Sequence, residues 1–321
     1  MVDELGAELG CIYSGEFMTE SLAKREVLAL GELLWDVLPT EKLLGGAPAN
    51  FCYRLRQLGI PARLVSRVGA DALGDELLSQ LKARSFDLSL VQRDPRVPTG
   101  TVDVVLTAEG NPSFTINTGV AYDCLEATPE LLAAAARSEL VCFGTLVQRS
   151  PVTRNALYKV LDAATSATKF LDINLRRECY SAETVSESLK RTDILKLNQS
   201  EVKTVSELLG LGAPNPKEMA RIVMDKFGIK TVLVTLGEDG VYAVDASGHE
   251  VSERGVSVTV VDTIGSGDSF SAGFVFKYLQ GATLSESCRF GNLMGAMNAS
   301  RKGGMPDISM AEIESFVYQA A

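Results

Sequence analysis

The segment Val260-Val261-Asp262-Thr263-Ile264-Gly265-Ser266-Gly267-Asp268-Ser269-Phe270-Ser271-Ala272-Gly273-Phe274 carries the residue types and spacing closest to chemistry. Gly265 and Gly267 lead into Phe270, Phe274, Val275 and Tyr278, which recur at helical spacing. Small residues at a helix start leave backbone N–H groups pointing outward, and with the positive end of the helix dipole these bind an anion. Gly265, Ser266 and Gly267 are the candidate nest. Asp268 stands in the first turn, where two readings are open. Asp is a common N-terminal cap. It is also a candidate general base, facing a reacting hydroxyl while the nest holds the charge on a transferred phosphoryl group. A carboxylate beside an anion hole is costly unless a nucleophile, proton or cation accompanies it. No G-x-x-x-x-G-K-[ST] loop occurs in the chain, and position 270 is Phe where a dinucleotide fingerprint has its third glycine. No H-R-D loop occurs, which excludes a protein-kinase fold on motif grounds.

Composition removes other classes. Lys plus Arg is 31 against 41 Asp plus Glu, a net charge of −10, and no basic stripe is present for nucleic acid. An anionic ligand then needs a local positive field or a metal ion. The single histidine, His249, follows Asp245-Ala246-Ser247-Gly248 and reads as a hairpin tip, which leaves no supply for two-His metal sites. The six cysteines are dispersed with no C-x-x-C pair, the pattern of free thiols in a reducing compartment. No apolar run reaches the roughly 18 residues of a membrane span. Met1 to Lys24 is acidic and lacks the basic start and apolar core of a secretory signal. A cytoplasmic protein is expected, with 1–24 as a disordered extension and 25–321 as one domain.

Elements must position these residues. Val27-Leu28-Ala29-Leu30 is a buried strand ending at Gly31, and 49–58 has helical spacing up to Gly59-Ile60-Pro61. Residues 63–68 read as a strand and 71–83 as a helix. Thr99 to Leu106 alternates, and Glu109-Gly110-Asn111-Pro112 turns into Phe114-Thr115-Ile116, a hairpin on the surface. From 129 onward strands (140–143, 169–173, 193–197, 231–235) alternate with helices (129–136, 153–165, 182–189, 217–227). That alternation predicts an α/β fold, a mostly parallel central sheet with helices on both faces and the site at the carboxyl ends of the strands.

Asp262 to Gly273 resembles the C-terminal signature of the ribokinase-like (PfkB) carbohydrate kinases, D-T-x-G-[AS]-G-D, with Ser266 where many relatives have Ala. Gly45-Gly46-Ala47-Pro48-Ala49-Asn50, followed by a helix, resembles the family's other signature. The order is the family's, and the likeness covers roughly residues 26 to 310. The resemblance implies ATP with Mg²⁺ as phosphoryl donor and Asp268 as base, with Arg176 adding charge near the transferring group. Asp172-Ile173-Asn174-Leu175-Arg176 resembles the family's D-x-N-x-R, which puts Asp172 and Asn174 toward the substrate. Both are also ordinary strand-end turn formers. Asn198-Gln199-Ser200-Glu201 resembles N-x-x-E, which makes Glu201 a carboxylate that orders magnesium through water. The same spacing is that of a capping box. Lys196, Asn198, Thr235, Gly237, Gly240, Asn298 and Gly303 fall on the nucleotide side. Asp262 and the backbone of Ile264 match part of the family's monovalent-cation loop, so K⁺ is a candidate activator.

On the acceptor side the resemblance makes Asp36 the hydroxyl-binding carboxylate, with Glu32 the competitor. Gly45, Gly46 and Asn50 accompany it. Strands from about 33–45 and 97–120 resemble the family's small β-sheet lid, which excludes water on closure and often forms a homodimer contact. Gly31–Pro39, Pro98–Val102, Val120–Asp123 and Phe143–Leu146 look most like bacterial fructokinases, implying transfer to the 6-hydroxyl of fructose. 2-Keto-3-deoxygluconate is the alternative acceptor, with Arg149 and Arg176 available for its carboxylate. A non-catalytic sugar- or nucleotide-binding regulator is the alternative class.

Overall fold

Val27–Leu30 is apolar at every position and wholly buried, the signature of a strand covered on both faces. In the computed structural model, which describes residues 26–106, 112–213 and 215–320, it is β1, inside the large sheet. The extension 1–24 and the turn at 107–111 lie outside the described residues. The other strands are β2 (Leu34–Val37), β3 (Lys42–Gly45), β4 (Ala62–Gly69), β5 (Val91–Asp94), β6 (Gly100–Leu106), β7 (Pro112–Ile116), β8 (Leu140–Phe143), β9 (Thr168–Asp172), β10 (Ile194–Asn198), β11 (Thr231–Thr235), β12 (Val241–Asp245) and β13 (Glu250–Glu253). The helices are α1 (Ala47–Gln57), α2 (Ala72–Ala83), α3 (Pro129–Arg137), α4 (Pro151–Ala163), α5 (Ala182–Leu189), α6 (Gln199–Leu208), α7 (Pro216–Phe227), α8 (Ser266–Leu279), α9 (Leu284–Ala299) and α10 (Met310–Ala320).

The large sheet has nine strands in the order β13-β12-β11-β10-β9-β8-β1-β4-β5. All pairs are parallel except β11–β12 and β12–β13. Successive side chains point to opposite faces of a strand. Leu28 and Leu30 accordingly join one core layer, and Val27 and Ala29 join the other. The second layer holds α1, α8 and α9. From Ser269 to Leu279 all of α8 but Tyr278 is buried, so its apolar residues Phe270, Phe274, Val275 and Leu279 are not confined to one face. His249 falls in the β12–β13 turn with its side chain 56% exposed.

A second sheet, of four strands in the order β3-β2-β6-β7, is the small sheet expected as a lid. Its β2 and β6 run parallel, with Asp36 opposite Val102. Trp35 is fully buried and donates from Nε1 to the Leu73 carbonyl at 3.0 Å, which fastens this sheet to α2. Among the described residues no helix is long and apolar enough to cross a membrane.

Candidate active site

Gly265 begins the site. It precedes α8 at φ +74°, a left-handed conformation that glycine adopts without steric cost. Helix α8 then starts at Ser266, and the first amides of a helix have no partner within it. Asp268 lies in that first turn with one face open to a small cavity of about 20 Å³, which Glu32, Asp172 and Asn174 also line. Its Oδ2 accepts from Asn50 Nδ2 at 2.8 Å. Thus the two glycine-containing signatures, 218 residues apart, meet at one hydrogen bond. Burial, and then the charge of Asp172, push the Asp268 carboxyl up to about 7; Asn50, Lys196 and Arg176 oppose this.

Asp172 ends β9 and is 7% exposed. Both of its oxygens accept from Lys196 Nζ at 3.1 Å, and Oδ2 also accepts from Ser271 Oγ at 3.0 Å. Asn174 follows with φ +41°. Arg176 is exposed above the site, and its charge reaches Glu32, Asp36 and Asp268. Glu201, 5% exposed, closes a capping box with Asn198. Its Oε2 accepts from Asn198 N and its Oε1 from Leu175 N, each at 2.8 Å. The structure therefore shows the capping alternative for Glu201. With one backbone amide on each oxygen, it ties Leu175 of the 173–176 loop to the start of α6, and each oxygen keeps a further lone pair. Among the described residues no three His, Cys, Asp or Glu side chains group as a metal cage. Mg²⁺ retains several waters and is bound largely through substrate phosphates, so it belongs with the nucleotide.

The acceptor wall comes from the first signature. A Cβ on Gly46, whose φ is +120°, would lie 2.4 Å from the Glu32 carbonyl. One on Gly45 would lie 2.5 Å from Asp36 Oδ2, so the Asp36 carboxyl rests against bare backbone. Burial pushes Asp36 up to about 6 and raises Glu32 as well. Asp36 opens onto a cleft of about 260 Å³ shared with Lys42, Arg84, Ile264, Lys302 and Gly304. Glu32, the competitor, lines the Asp268 cavity and accepts from Ala47 N at 3.1 Å. Gly304 ends the segment 298–304 that resembles the family's adenine side, and the structure sets it against Asn50 on the acceptor wall. A Cβ there would fall 2.6 Å from Asn50 Oδ1 and 2.7 Å from its Nδ2. Gly304→Ala should turn Asn50 away from Asp268 and raise the sugar KM about tenfold, as initial-rate kinetics would read; an unchanged KM would mean the loop yields instead.

Two expected roles change. Asn298 was placed beside the nucleotide, but it is fully buried. Its Nδ2 donates to the Ile264 carbonyl at 2.8 Å, and its Oδ1 accepts from Ser269 Oγ at 2.9 Å and from Arg54 at 3.3 Å. It braces the loop before α8 from inside. Arg149 was available for a substrate carboxylate, but it is committed to Asp123 through Nε (2.9 Å) and Nη2 (3.0 Å), and to the Asn117 carbonyl at 2.7 Å. Asp262 Oδ1 accepts from Ile264 N at 3.0 Å and Oδ2 from Gly303 N at 2.9 Å. A carboxylate and a carbonyl are hard oxygen donors with lone pairs beyond these bonds, a set that fits K⁺. Thr235 Oγ1 donates to the Leu197 carbonyl at 3.3 Å, and Gly237 (φ +65°) and Gly240 (φ +101°) shape the turn after β11.

The chain matches the family described as pfkB family carbohydrate kinase over residues 15–310, reaching into the segment to which the sequence assigns no role. An ATP-dependent 6-phosphofructokinase from Thermoanaerobacterium thermosaccharolyticum is 26% identical over 312 residues, covering 89% of this chain and 91% of that one. Fructokinase-1 from Oryza sativa subsp. japonica is 28% identical, covering 88% and 94%. In fold the chain is similar to a fructokinase from Xylella fastidiosa with bound ATP (TM-score 0.83, 20% identity, covering 92% and 99%). It is also similar to an uncharacterized sugar kinase from Pyrococcus horikoshii in complex with ATP (TM-score 0.75, 25% identity, covering 89% and 96%). Only the two ends fall outside the family match, and the chain belongs to the pfkB family of carbohydrate kinases, as an ATP-dependent sugar kinase.

Proposed function

We propose that the enzyme transfers the γ-phosphoryl group of Mg-ATP to the primary 6-hydroxyl of fructose. Asp268 takes the hydroxyl proton as the oxygen bonds to phosphorus. The bond from phosphorus to the β–γ bridging oxygen breaks, and ADP leaves. The amides of Gly265 to Asp268 hold charge on the transferring oxygens, since this chemistry depends on positioning and electrostatics more than on covalent help. Mg²⁺ enters with ATP and neutralises phosphate charge; K⁺ is assigned to Asp262 and Ile264. Asp36, Gly46 and Asn50 hold the sugar, Arg176 covers the reacting end, and the small sheet excludes water. We place the enzyme in the cytoplasm and a homodimer contact on that sheet, whose free edges are β3 and β7.

The observation that carries this reading is the Asp268 carboxyl, in the first turn of α8 and bonded to Asn50, which burial pushes up to about 7. A base must be ionised to accept a proton, so kcat/KM should rise with pH and level off above about 7. A rate flat down to pH 5 would sink Asp268 as the base. Acceptor choice is read by ADP release with fructose, fructose 6-phosphate, ribose, glucose, 2-keto-3-deoxygluconate and adenosine. Fructose should dominate; turnover dominated by another acceptor removes the fructose assignment and leaves the kinase.

A second reading has its own observation. Arg84 lines the cleft onto which Asp36 opens, with Lys42 and Lys302, which are paired to Glu76 and Glu41, and one relative is a 6-phosphofructokinase. A phosphorylated acceptor would place its phosphate there. The keto-acid alternative is weakened, because Arg149 is already bound to Asp123.

A further inference from the structure

Lys196 was expected at the nucleotide, yet its bonds run the other way. It lies in the middle of β10 and is 6% exposed. Its ammonium donates to both oxygens of Asp172, on the neighbouring strand. A Cβ on Gly267 would lie 3.0 Å from Nζ, so the ammonium sits directly against the first turn of α8. One turn on, Ser271 Oγ binds the same Asp172. The helix that carries Asp268 is therefore seated on an ion pair contributed by two adjacent strands.

The groups facing Asp268 are Asn50 from α1, Glu32 after β1, Cys142 from β8, Asp172 from β9, Arg176 after β9 and Lys196 from β10. Glu201 of α6 faces Lys196 from its other side. Arg176 is exposed, and its charge is screened by solvent. Lys196 is the buried cation of this set. Neighbouring carboxylates in a dry site cannot both ionise without such a cation.

We propose that Lys196 is a positioning residue for the general base: bonded to both oxygens of Asp172 and packed beneath the first turn of α8, its ammonium offsets the charge of Asp172 at the Asp268 carboxyl. This rests on the reading of Asp268 as the base. Burial alone would lower the affinity of Lys196 for its proton, but Asp172, Glu201 and Asp268 outweigh it, so the ammonium stays charged. Asp172 and Lys196 act on Asp268 with opposite signs, the first raising and the second lowering it. Their removal should therefore have opposite consequences.

The experiment is a carboxyl ¹³C NMR titration of full-length protein labelled at aspartate, with Asp268→Asn to assign the Asp268 signal and pH profiles of kcat/KM in parallel. In the wild type the Asp268 signal should titrate near 7, apart from that of Asp36 near 6. Asp172→Asn frees the charge of Lys196 and should move the Asp268 midpoint, and the acid limb of kcat/KM, down by at least about one pH unit. Lys196→Met should move the Asp268 midpoint up from its wild-type value. The double variant Lys196→Met/Asp172→Asn should return that midpoint to near 7. An unmoved Asp268 midpoint in Lys196→Met overturns the proposal, and a raised KM for Mg-ATP beside it makes Lys196 a nucleotide ligand. If Lys196→Met does not fold, an unmoved midpoint in Asp172→Asn overturns it equally. Full turnover by Asp268→Asn would instead remove the base assignment, while the titrations still report on Lys196.

Discussion

Asp268→Asn is expected to lower kcat by at least about a hundredfold, the usual scale for losing a positioned general base. Asn keeps the shape and can still meet Asn50 Nδ2 through its carbonyl oxygen, so sugar and ATP binding should survive and KM should change little. The same variant should be more stable than the wild type, and the sign follows from the carboxyl. Its pKa is about 7 in the fold against an ordinary 3.8, so the folded state binds the proton more tightly than the unfolded chain. The wild type then loses stability as pH rises from about 4 to about 7. The Asn variant has no such loss. Thermal melts should show a gap in its favour that widens up to pH 7, reaching a few degrees. Near-normal turnover in the variant would mean that Asp268 does not accept the proton, and a gap independent of pH would mean that it does not sit in a dry site.

Gly265→Ala should be as damaging for a different reason. At φ +74° any side chain is strained, by roughly 1–2 kcal/mol. In addition, the new Cβ would meet Gly304 Cα at 2.6 Å and Gly304 O at 2.8 Å. Backbone on both sides has little room to give. The helix start and the 303–305 loop must part, which misaims the amides that receive phosphoryl charge. Loss of one such donor typically costs a hundred- to a thousandfold in rate. Gly303→Ala separates the two causes, because Gly303 has φ +83° with nothing within 4 Å of a Cβ. It should show the strain in its melting temperature and little change in kcat. Equal kcat in the two variants would show that close packing against Gly304 is irrelevant to catalysis.

Much of the scaffold is legible in sequence where one physical requirement dominates. Val27–Leu30 and Thr231–Thr235 are strands because fully or largely apolar runs end at glycine-containing turns. Asn198 and Glu201 have capping-box spacing, and the structure contains that box. Strand β5 is not legible, because Val91, Gln92 and Arg93 form a short, partly exposed sheet edge without apolar alternation. In the site, the glycines and Asp268 stand out because their local backbone needs are visible in the chain. The partners of Lys196, Asn298 and Arg149 do not, because which buried polar groups close on each other depends on strands and loops that meet only in three dimensions. Each of these three residues carries polar groups attractive enough for a ligand, and each is satisfied by the protein itself.

The bond between Asn50 and Asp268 also bears on synthesis. At ribosomal rates of about 5–20 residues per second, the 218 residues between them take roughly 10–40 seconds to emerge. During that interval the sugar-side signature and most of the parallel strands exist without α8, and no base or phosphoryl nest is present. On the reading of Asp268 as the base, a chain that ends before Gly265 lacks both the base and the amides assigned to the phosphoryl group, so it should bind sugar without transferring phosphate to it.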